Sequence, residues 1–310
     1  MTNNSAVILL NWNGYTDTVV CVESLIANDP QWKIYIVDNA SANNEAQKLQ
    51  LKFPQVAVLS QNENLGFCEG NNVGIRHALA DGANYIAILN NDTIVSEMSL
   101  TKLLADYISL PGAGAISPVI LQYPETNNVW FVKAEWQPAR LQFSMNPDNE
   151  SFEKIKGRKP WESYFANGCC LLTSAKVLND VGLMDQRYFA YYDEADWCNR
   201  MKKKGYKSYV TAATYIYHVK HHSNYNKVSL YLLTRNRLLW MKENLLLSER
   251  RNAFPYLFKE FNWHLLNVLG FVKGEYTRDL SRAYLYGWLD FKLKRFGRWN
   301  KKRQIFFEKN

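Results

Sequence analysis

Short, mostly apolar runs recur at intervals along the first third of the chain, at residues 6–10, 33–37, 56–59 and 85–89. Four or five residues of Val, Ile, Leu and Ala with little polar alternation are the pattern of strands buried on both faces. Between them, apolar positions recur at helical spacing over 17–27 and over 41–53, where Ser41 or a neighbour supplies the cap. A turn at 62–66 leads into a helix to about Ala80, and another helix covers 97–109. Strands alternating with helices predict a parallel, three-layer α/β sheet.

The rhythm changes after Gly112. Residues 113–121 and 129–133 read as strands with no helix between them, and 144–160 is polar and rich in turn residues, as in a mobile loop. A strand at 165–173, a short helix at 174–181 and strands near 208–210 and 215–217 follow. In Tyr191-Tyr192-Asp193-Glu194-Ala195-Asp196-Trp197-Cys198-Asn199-Arg200, three carboxylates precede a helical pattern that ends at Lys202-Lys203-Lys204-Gly205. Acid at the start and base followed by glycine at the end suit the helix dipole and its caps. That stretch is a capped helix, a catalytic site, or both. Beyond His218 the pattern is helical, over about 226–247, 252–272 and 276–296. The division expected is a catalytic domain over 1–224 and a basic helical region over 225–310 that packs on it.

Charge sharpens this picture. The chain of 310 residues carries a formal charge of +8, and residues 273–303 hold ten Lys and Arg against three Asp and Glu. The surplus is therefore concentrated near the C-terminal end, where it points to an anionic partner. In 276–296, Tyr276, Leu280, Tyr284, Trp288 and Phe291 fall at helical spacing among these bases. The helix packs on the catalytic domain or rests on anionic lipid, and the two are compatible if one face packs inward. No recognised nucleic-acid module accompanies the charge, so nucleic acid is not expected as a partner. Five cysteines without a Cys-x-x-Cys pair make neither a disulfide framework nor a zinc knuckle. There is no signal-peptide pattern at the start, and no apolar run approaches the roughly 18 residues that span a bilayer. A cytoplasmic location is expected, peripheral on the inner face of the membrane if the basic helices touch lipid.

Ligands of open parallel sheets bind beyond the carboxyl ends of the strands. Asp38 and Asp92 stand at two such ends. Asp38 suits a ring N–H of a pyrimidine base, or the cap of the next turn. Asp92, after Asn90 and Asn91, suits a divalent cation that keeps few protein carboxylates when phosphates supply the rest, or again a turn. His218, with His221 and His222, lacks the second cluster that zinc requires; as a single ligand it would join Asp92. Residues 62–74 are rich in Gly and Asn but do not form Gly-x-Gly-x-x-Gly. Gly70 and Gly74 serve close packing, whereas Gly66 lets backbone approach a ligand.

These pieces form an ordered set: Asn11-Trp-Asn-Gly14, Val37-Asp-Asn-Ala-Ser41, Asn62-Glu-Asn-Leu-Gly-Phe67 with Gly70-Asn71-Asn-Val-Gly74, and Leu89-Asn-Asn-Asp-Thr93. Ala166-Asn167-Gly168, residues 191–200, His218-x4-Ser223 and Arg235-Asn236 complete it over about 5–240, with a looser Gly287-Trp-Leu-Asp290 beyond. In this order and spacing the chain resembles the family 2 glycosyltransferases of the inverting GT-A fold, and most of all their bacterial rhamnosyltransferase-type members. The resemblance implies a Rossmann-like mixed sheet flanked by helices with a C-terminal helical extension. It implies Asp38 on the nucleotide base, with Asn11, Asn13, Asn64, Gly66, Asn71, Asn90 and Asn91 around the nucleotide sugar. Mn²⁺ or Mg²⁺ would sit on Asp92 and His218, and Asn167, Gly168, Asp196 and Trp197 would face the acceptor. Glu194 takes the position of the catalytic base, with Asp193 as its alternative. Two departures stand out: Asn90 replaces the first acid of the usual Asp-x-Asp, and Asp193-Glu194 reverses the usual Glu-Asp order.

The expected reaction moves a sugar from a UDP- or dTDP-sugar, dTDP-L-rhamnose first, to a glycan acceptor, lipid-linked, of a bacterial surface polysaccharide. A carboxylate in hydrogen-bond reach of a sugar hydroxyl accelerates its attack, typically about 10²–10⁴-fold. Asp196, two residues beyond Glu194, points elsewhere on the helix and would orient Arg200 through an i,i+4 pair or help position the acceptor. The rivals are a nucleotidyltransferase on a similar nucleotide-binding half, and a catalytically silent membrane scaffold.

Overall fold

A computed structural model describes residues 4–124, 128–219, 226–274, 276–299 and 301–308. Its first half is the expected alternation: β1 (Ser5–Asn11), α1 (Tyr15–Asn28), β2 (Lys33–Asp38), α2 (Glu45–Lys52), β3 (Ala57–Ser60), α3 (Gly66–Ala80) and β4 (Tyr85–Asn90). These strands pair in parallel in the order β3–β2–β1–β4. Val7, Ile8 and Leu9 in the central strand have no exposed surface, which is why the run shows no polar alternation. α3 lies close upon β1 and β2: a Cβ on Gly74 would stand 2.3 Å from Ile8 Cγ2, and one on Gly70 2.5 Å from Leu10 Cδ1. The packing role expected of these two glycines is therefore met. Parallel register sets Asn11 beside Asp38 and Asn90 beside Leu10, so the ends that bear the candidate residues share one edge.

The second half is mixed rather than parallel. It runs β5 (Thr93–Val95), α4 (Ser99–Ser109), β6 (Ala113–Tyr123), β7 (Val129–Phe131), β8 (Glu135–Gln137), β9 (Gln142–Ser144), α5 (Phe152–Ile155), β10 (Trp161–Ser163), β11 (Cys170–Ser174), α6 (Ala175–Val181), α7 (Asp193–Lys203) and β12 (Lys207–Val219). β11 enters antiparallel between β4 and β6, and β12 lies parallel to β6. Two expectations change here. The stretch 144–160 is not a featureless loop, because buried Phe152 and Ile155 pin a helical turn within it. The two short strands near 208–217 are one long strand, with its register on β6 shifted between Thr211 and Tyr215.

Four helices follow: α8 (Lys227–Asn244), α9 (Leu247–Leu269), α10 (Arg278–Lys292) and α11 (Lys301–Glu308), the last unforeseen. α8 is buried along much of its length; Leu239 and Trp240 enter the main core, and Arg235 and Asn236 have no exposed surface. α10 packs against α8, so close that a Cβ on Gly287 would stand 2.7 Å from the Tyr231 carbonyl. Gly287-x-x-Asp290 is thus a packing unit, with Asp290 accepting from Tyr231 Oη at 2.9 Å and pairing with Arg303. On the segment 276–296 one face packs inward, with Tyr284 buried, while Leu289 and Leu293 stay exposed. The exposed apolar helix is α9: Ala253, Leu257, His264 and Asn267 turn inward, while Phe254, Phe258, Leu265 and Leu269 form an outer stripe 38–60% exposed. Among the described residues, no helix is long and apolar enough to cross a membrane. The expected boundary at 224–225 falls within residues 220–225, which lie outside the description, His221, His222 and Ser223 among them.

Candidate active site

The strand ends converge on a polar knot. Asn11 Nδ2 lies 2.7 Å from Asp38 Oδ2, 3.0 Å from Ser41 Oγ and 3.0 Å from Glu45 Oε2, while Asn11 Oδ1 accepts from Thr18 Oγ1. Asp38 Oδ1 also accepts from Ser41 N–H at 3.1 Å. Asp38 therefore caps its own turn, the simpler of its two expected roles, and is almost wholly buried. Exposed Asn13 closes the knot by accepting from Ala42 N–H. Asn39 ties it to the next loop: its side chain donates to the Asn64 Oδ1 and Gly66 carbonyl and accepts from Leu65 N–H.

Beside the knot lies a cleft of about 820 Å³ whose walls include Trp12, Asn39, Asn64, Gly66, Tyr191 and Trp299. The volume falls in the range of small-molecule sites, about 300–1,000 Å³. Trp12 is 57% exposed on its rim. The C-terminal segment forms the facing wall, with Arg298 paired to Glu63 at 3.6 Å.

After β4 the chain turns through Asn90, Asn91 and Asp92 and joins β12, where Thr93 faces His218. Asn91 Nδ2 donates to Thr18 Oγ1 at 2.8 Å, and the Asn90 N–H donates to the Cys169 carbonyl. Asp92 Oδ2 stands 3.3 Å from His218 Nε2, whose ring stacks on Trp130 at 4.8 Å. Asp92 Oδ1 is buried and has no hydrogen-bond partner. An orphaned carboxylate oxygen is costly, about 1–3 kcal/mol or more for a charged group, and a cation would satisfy it. One carboxylate and one imidazole suit Mn²⁺ or Mg²⁺ with oxygens from elsewhere completing the shell. Among the described residues, no three His, Cys, Asp or Glu converge to complete it from the protein.

The acidic helix α7 begins where expected, and its approach is unusual. Phe189, Tyr191 and Tyr192 all have positive φ (67°, 70° and 66°) without being glycine. Such conformers cost about 1–3 kcal/mol each and persist only where the surroundings impose them. Here buried Asn236 Nδ2 lies 2.7, 2.6 and 3.0 Å from the carbonyls of Tyr188, Ala190 and Tyr191. Arg235, equally buried, donates to the Tyr188 carbonyl at 3.0 Å and the Gly297 carbonyl at 2.7 Å, and the Gly297 N–H donates to the Arg187 carbonyl. From the other side the Phe67 and Cys68 N–H groups donate to the Phe189 carbonyl. Gly66 makes room for this contact: its φ is +80°, and a Cβ there would stand 2.6 Å from the Phe189 carbonyl oxygen.

This clamp presents Asp193 and Glu194 at the first turn of α7. Asp193 is 3% exposed; burial, then the neighbouring Glu194 charge, pushes its carboxyl well above the usual range. Glu194 is only part-buried, and burial raises it as well. Both carboxyls are thus raised together, and Asp193 is the more buried of the two. Glu194 lines a second cavity of about 320 Å³, and Tyr191 lines both this cavity and the first cleft. A Cβ on Gly168 would lie 3.9 Å from Glu194 Cβ and 3.6 Å from the Phe67 ring. Gly168 thus sits beside the carboxylate, and its neighbour Cys169 bonds the Asn90 turn, so one short segment links both.

Not every expected residue reaches a cavity. Asn71 is buried within α3 and donates to the Phe67 carbonyl, so its contribution is to the helix. Trp197 has no exposed surface and its Nε1 donates to the Gly182 carbonyl, so it packs in the core rather than facing an acceptor; the acceptor-side expectation is corrected. Asp196 pairs with Arg200 at 2.8 Å, the i,i+4 role considered for it. Asn167 is buried and its Oδ1 accepts from Cys169 N–H, which sets the turn into β11 and delays the start of that strand to Cys170. Sequence reading missed Trp12 and the residues that α8, α9 and α10 send to the second cavity, among them Arg237, Glu260, His264 and Tyr284. The last four form no local motif; only the helical spacing of 260/264 and 284/288 hinted at a shared face.

Residues 6–182, more than half of the chain, match the family model described as glycosyl transferase family 2. The chain is 25% identical over 219 residues to an N-acetylglucosaminyl-diphospho-decaprenol L-rhamnosyltransferase of Mycobacterium tuberculosis (strain H37Rv), covering 63% of this chain and 69% of that one. It is 24% identical over 237 residues to the dTDP-rhamnosyl transferase RfbF of Shigella flexneri, covering 72% and 76%. Among solved structures, GalNAc-T7 with UDP, GalNAc and Mn²⁺ superposes with a TM-score of 0.61 at 15% identity. That likeness covers 77% of this chain and 48% of the other, about half its length, and it concerns the fold.

Proposed function

The chain belongs to glycosyl transferase family 2, and we propose that it is a metal-dependent inverting enzyme moving a sugar from a UDP- or dTDP-sugar to a glycan acceptor. We infer dTDP-L-rhamnose as donor, and as acceptor a lipid-linked intermediate of a bacterial surface polysaccharide such as O-antigen or capsule; the names of the two relatives support both. The observation that carries the reading is the position of Glu194 on a cavity that meets the large cleft at Tyr191, one short segment away from the Asp92 turn. A donor in the cleft would put its anomeric carbon towards that junction, and an acceptor would enter from the Glu194 side.

In this reaction Glu194 takes the proton of the acceptor hydroxyl as its oxygen attacks the anomeric carbon. The bond from that carbon to the diphosphate breaks, and the nucleoside diphosphate leaves from the opposite face, which inverts the centre. Asp92 and His218 would hold the divalent metal; when bound it supplies charge stabilisation for the departing diphosphate without proton transfer. Asp38 and its knot would hold the base end, Asn64 and the Gly66 backbone the middle of the cleft. The outer stripe of α9, flanked by exposed Arg251 and Lys259, would rest on anionic lipid and bring a lipid-linked acceptor to the chamber.

A thermal-shift panel of nucleotide sugars with and without Mn²⁺, followed by product analysis, tests the proposal. A melting temperature raised by a UDP- or dTDP-sugar in the presence of Mn²⁺, with nucleoside diphosphate as product, is expected. Release of pyrophosphate would identify a nucleotidyltransferase instead. Unchanged activity in Glu194→Gln and Asp92→Asn would leave a non-catalytic protein.

A further inference from the structure

The chamber against Glu194 has walls that the family match over 6–182 does not reach. Its inner wall comes from α8 and α9, with Arg237, Glu260 and His264, and from Tyr276 and Tyr284 beyond. Arg237 Nη2 pairs with Glu260 Oε2 at 2.5 Å, and Tyr284 Oη donates to the same oxygen at 3.0 Å. Arg237 Nε is buried and has no hydrogen-bond partner. His264 stacks on the Tyr284 ring at 3.9 Å, and burial, then the Arg237 charge, pushes its pKa down to about 4, so the imidazole is neutral.

Three features of this wall define an occupant. Its charges cancel between Arg237 and Glu260, and Glu194 adds a negative one, so an anion gains nothing by entering. Aromatic faces alternate with planar groups that donate and accept, the chemistry that recognises a ring with apolar faces and a rim of hydroxyls. The volume, about 320 Å³, stands at the small end of ligand pockets of about 300–1,000 Å³. A free donor on Arg237 also asks for a hydroxyl oxygen.

We propose that this chamber is the subsite for the acceptor's terminal sugar, an uncharged pyranose held by Arg237, Glu260 and Tyr284 with one hydroxyl turned to Glu194. Any phosphate of the acceptor then lies outside it. The assignment rests on the glycosyltransferase reading and adds to it which part of the acceptor is recognised, and by which residues.

The test uses the full chain, its nucleotide-sugar donor and a panel of uncharged methyl hexopyranosides and methyl N-acetylhexosaminides as surrogate acceptors. At least one should yield a disaccharide with saturable kinetics. Glu260→Gln and Tyr284→Phe should each raise its half-saturating concentration about 10-fold or more, the loss expected when a buried polar partner in a sugar site is left unpaired, with the donor KM within about twofold. Tyr284→Phe keeps the test valid if Glu260→Gln fails to fold. Inorganic pyrophosphate should not compete with the glycoside. Unchanged half-saturation in a folded variant, competition by pyrophosphate, or no productive glycoside at all overturns the assignment. If the wild-type chain releases nucleoside diphosphate yet any of these occurs, the chamber assignment alone falls; if it releases none from any donor, the glycosyltransferase reading falls and takes the assignment with it.

Discussion

Replacing Asn236 by Ala should uncouple binding from turnover. The side chain is fully buried and its one amide nitrogen serves the carbonyls of Tyr188, Ala190 and Tyr191. After truncation, Tyr188 keeps Arg235 as a donor, whereas the bond to the Ala190 carbonyl is lost. Orphaning the Ala190 carbonyl costs about 1–3 kcal/mol, and each of the two further bonds lost about 0.5–1.5 kcal/mol, for a gross loss of roughly 2–6 kcal/mol. Against this, the three left-handed residues hold about 1–3 kcal/mol each in backbone strain, which relaxes when the clamp opens. Because released strain offsets part of the loss, the chain should remain folded, destabilised by less than that gross figure, with its loop shifted. Misplacing a reacting group by about 1 Å can cost 10²-fold in rate, so kcat should fall by that order while the donor KM changes little. Asn236→Asp keeps the shape but turns a donor into an acceptor facing carbonyls, and should be at least as damaging. Urea unfolding alongside steady-state kinetics measures both effects. Wild-type kcat and wild-type stability in Asn236→Ala would refute the idea that this side chain sets the loop.

Glu194→Gln should lower kcat about 10²–10⁴-fold, the usual worth of a general base, whereas Asp193→Asn should retain most of it; the reverse pattern in kinetics would move the base to Asp193. Because burial raises the Glu194 carboxyl, kcat/KM should climb with pH through a value above the ordinary 4.3 or so of a free glutamate. Asp193 has a folded-state pKa above its unfolded one, so its contribution to stability is complete below the ordinary carboxylate range and declines as pH rises through the raised value. Asp193→Asn should accordingly melt higher than wild type near pH 7, by about 2 °C for each kcal/mol relieved, and lose that advantage near pH 4. Asp92→Asn should abolish the additional thermal shift that Mn²⁺ gives with a nucleotide sugar, an effect calorimetry can confirm by loss of metal-dependent binding heat. Phe254→Ser with Phe258→Ser should release the protein from anionic vesicles in a flotation assay and leave transfer to a water-soluble glycoside intact.

The nucleotide-binding half was legible because its information is local. Continuous apolar runs, turn residues at their ends and glycines at packing spacing each speak through neighbours in the chain. Asp92 with His218 was suggested by their strand-end positions and strengthened by the resemblance, whereas the roles of Glu194 and Gly168 came from the resemblance alone, since nothing local brings residues so distant together. Spacing on a helix turns Asp196 away from Glu194, whereas Trp197, three residues on, shares a helical side with Glu194 and is taken into the core by tertiary packing alone. The readings of 276–296 and of α9 show a further gap. Both helices carry rings and bases, and only tertiary packing reveals that Gly287 seats α10 while α9 is left with an uncovered stripe. Arg235-Asn236 was recognised as a motif, but its work depends on three carbonyls of a loop that the sequence did not mark as strained.

The Arg235 guanidinium and the Gly297 backbone fasten the loop that carries Asp193 and Glu194. A ribosome makes both fasteners after the loop, and Gly297 long after. During synthesis the parallel half of the sheet, complete by Asn90, can assemble first, while the loop before α7 has no reason yet to adopt its costly shape. The nascent chain would then complete both the loop and the facing wall of the cleft late, when residues near 297 emerge from the exit tunnel.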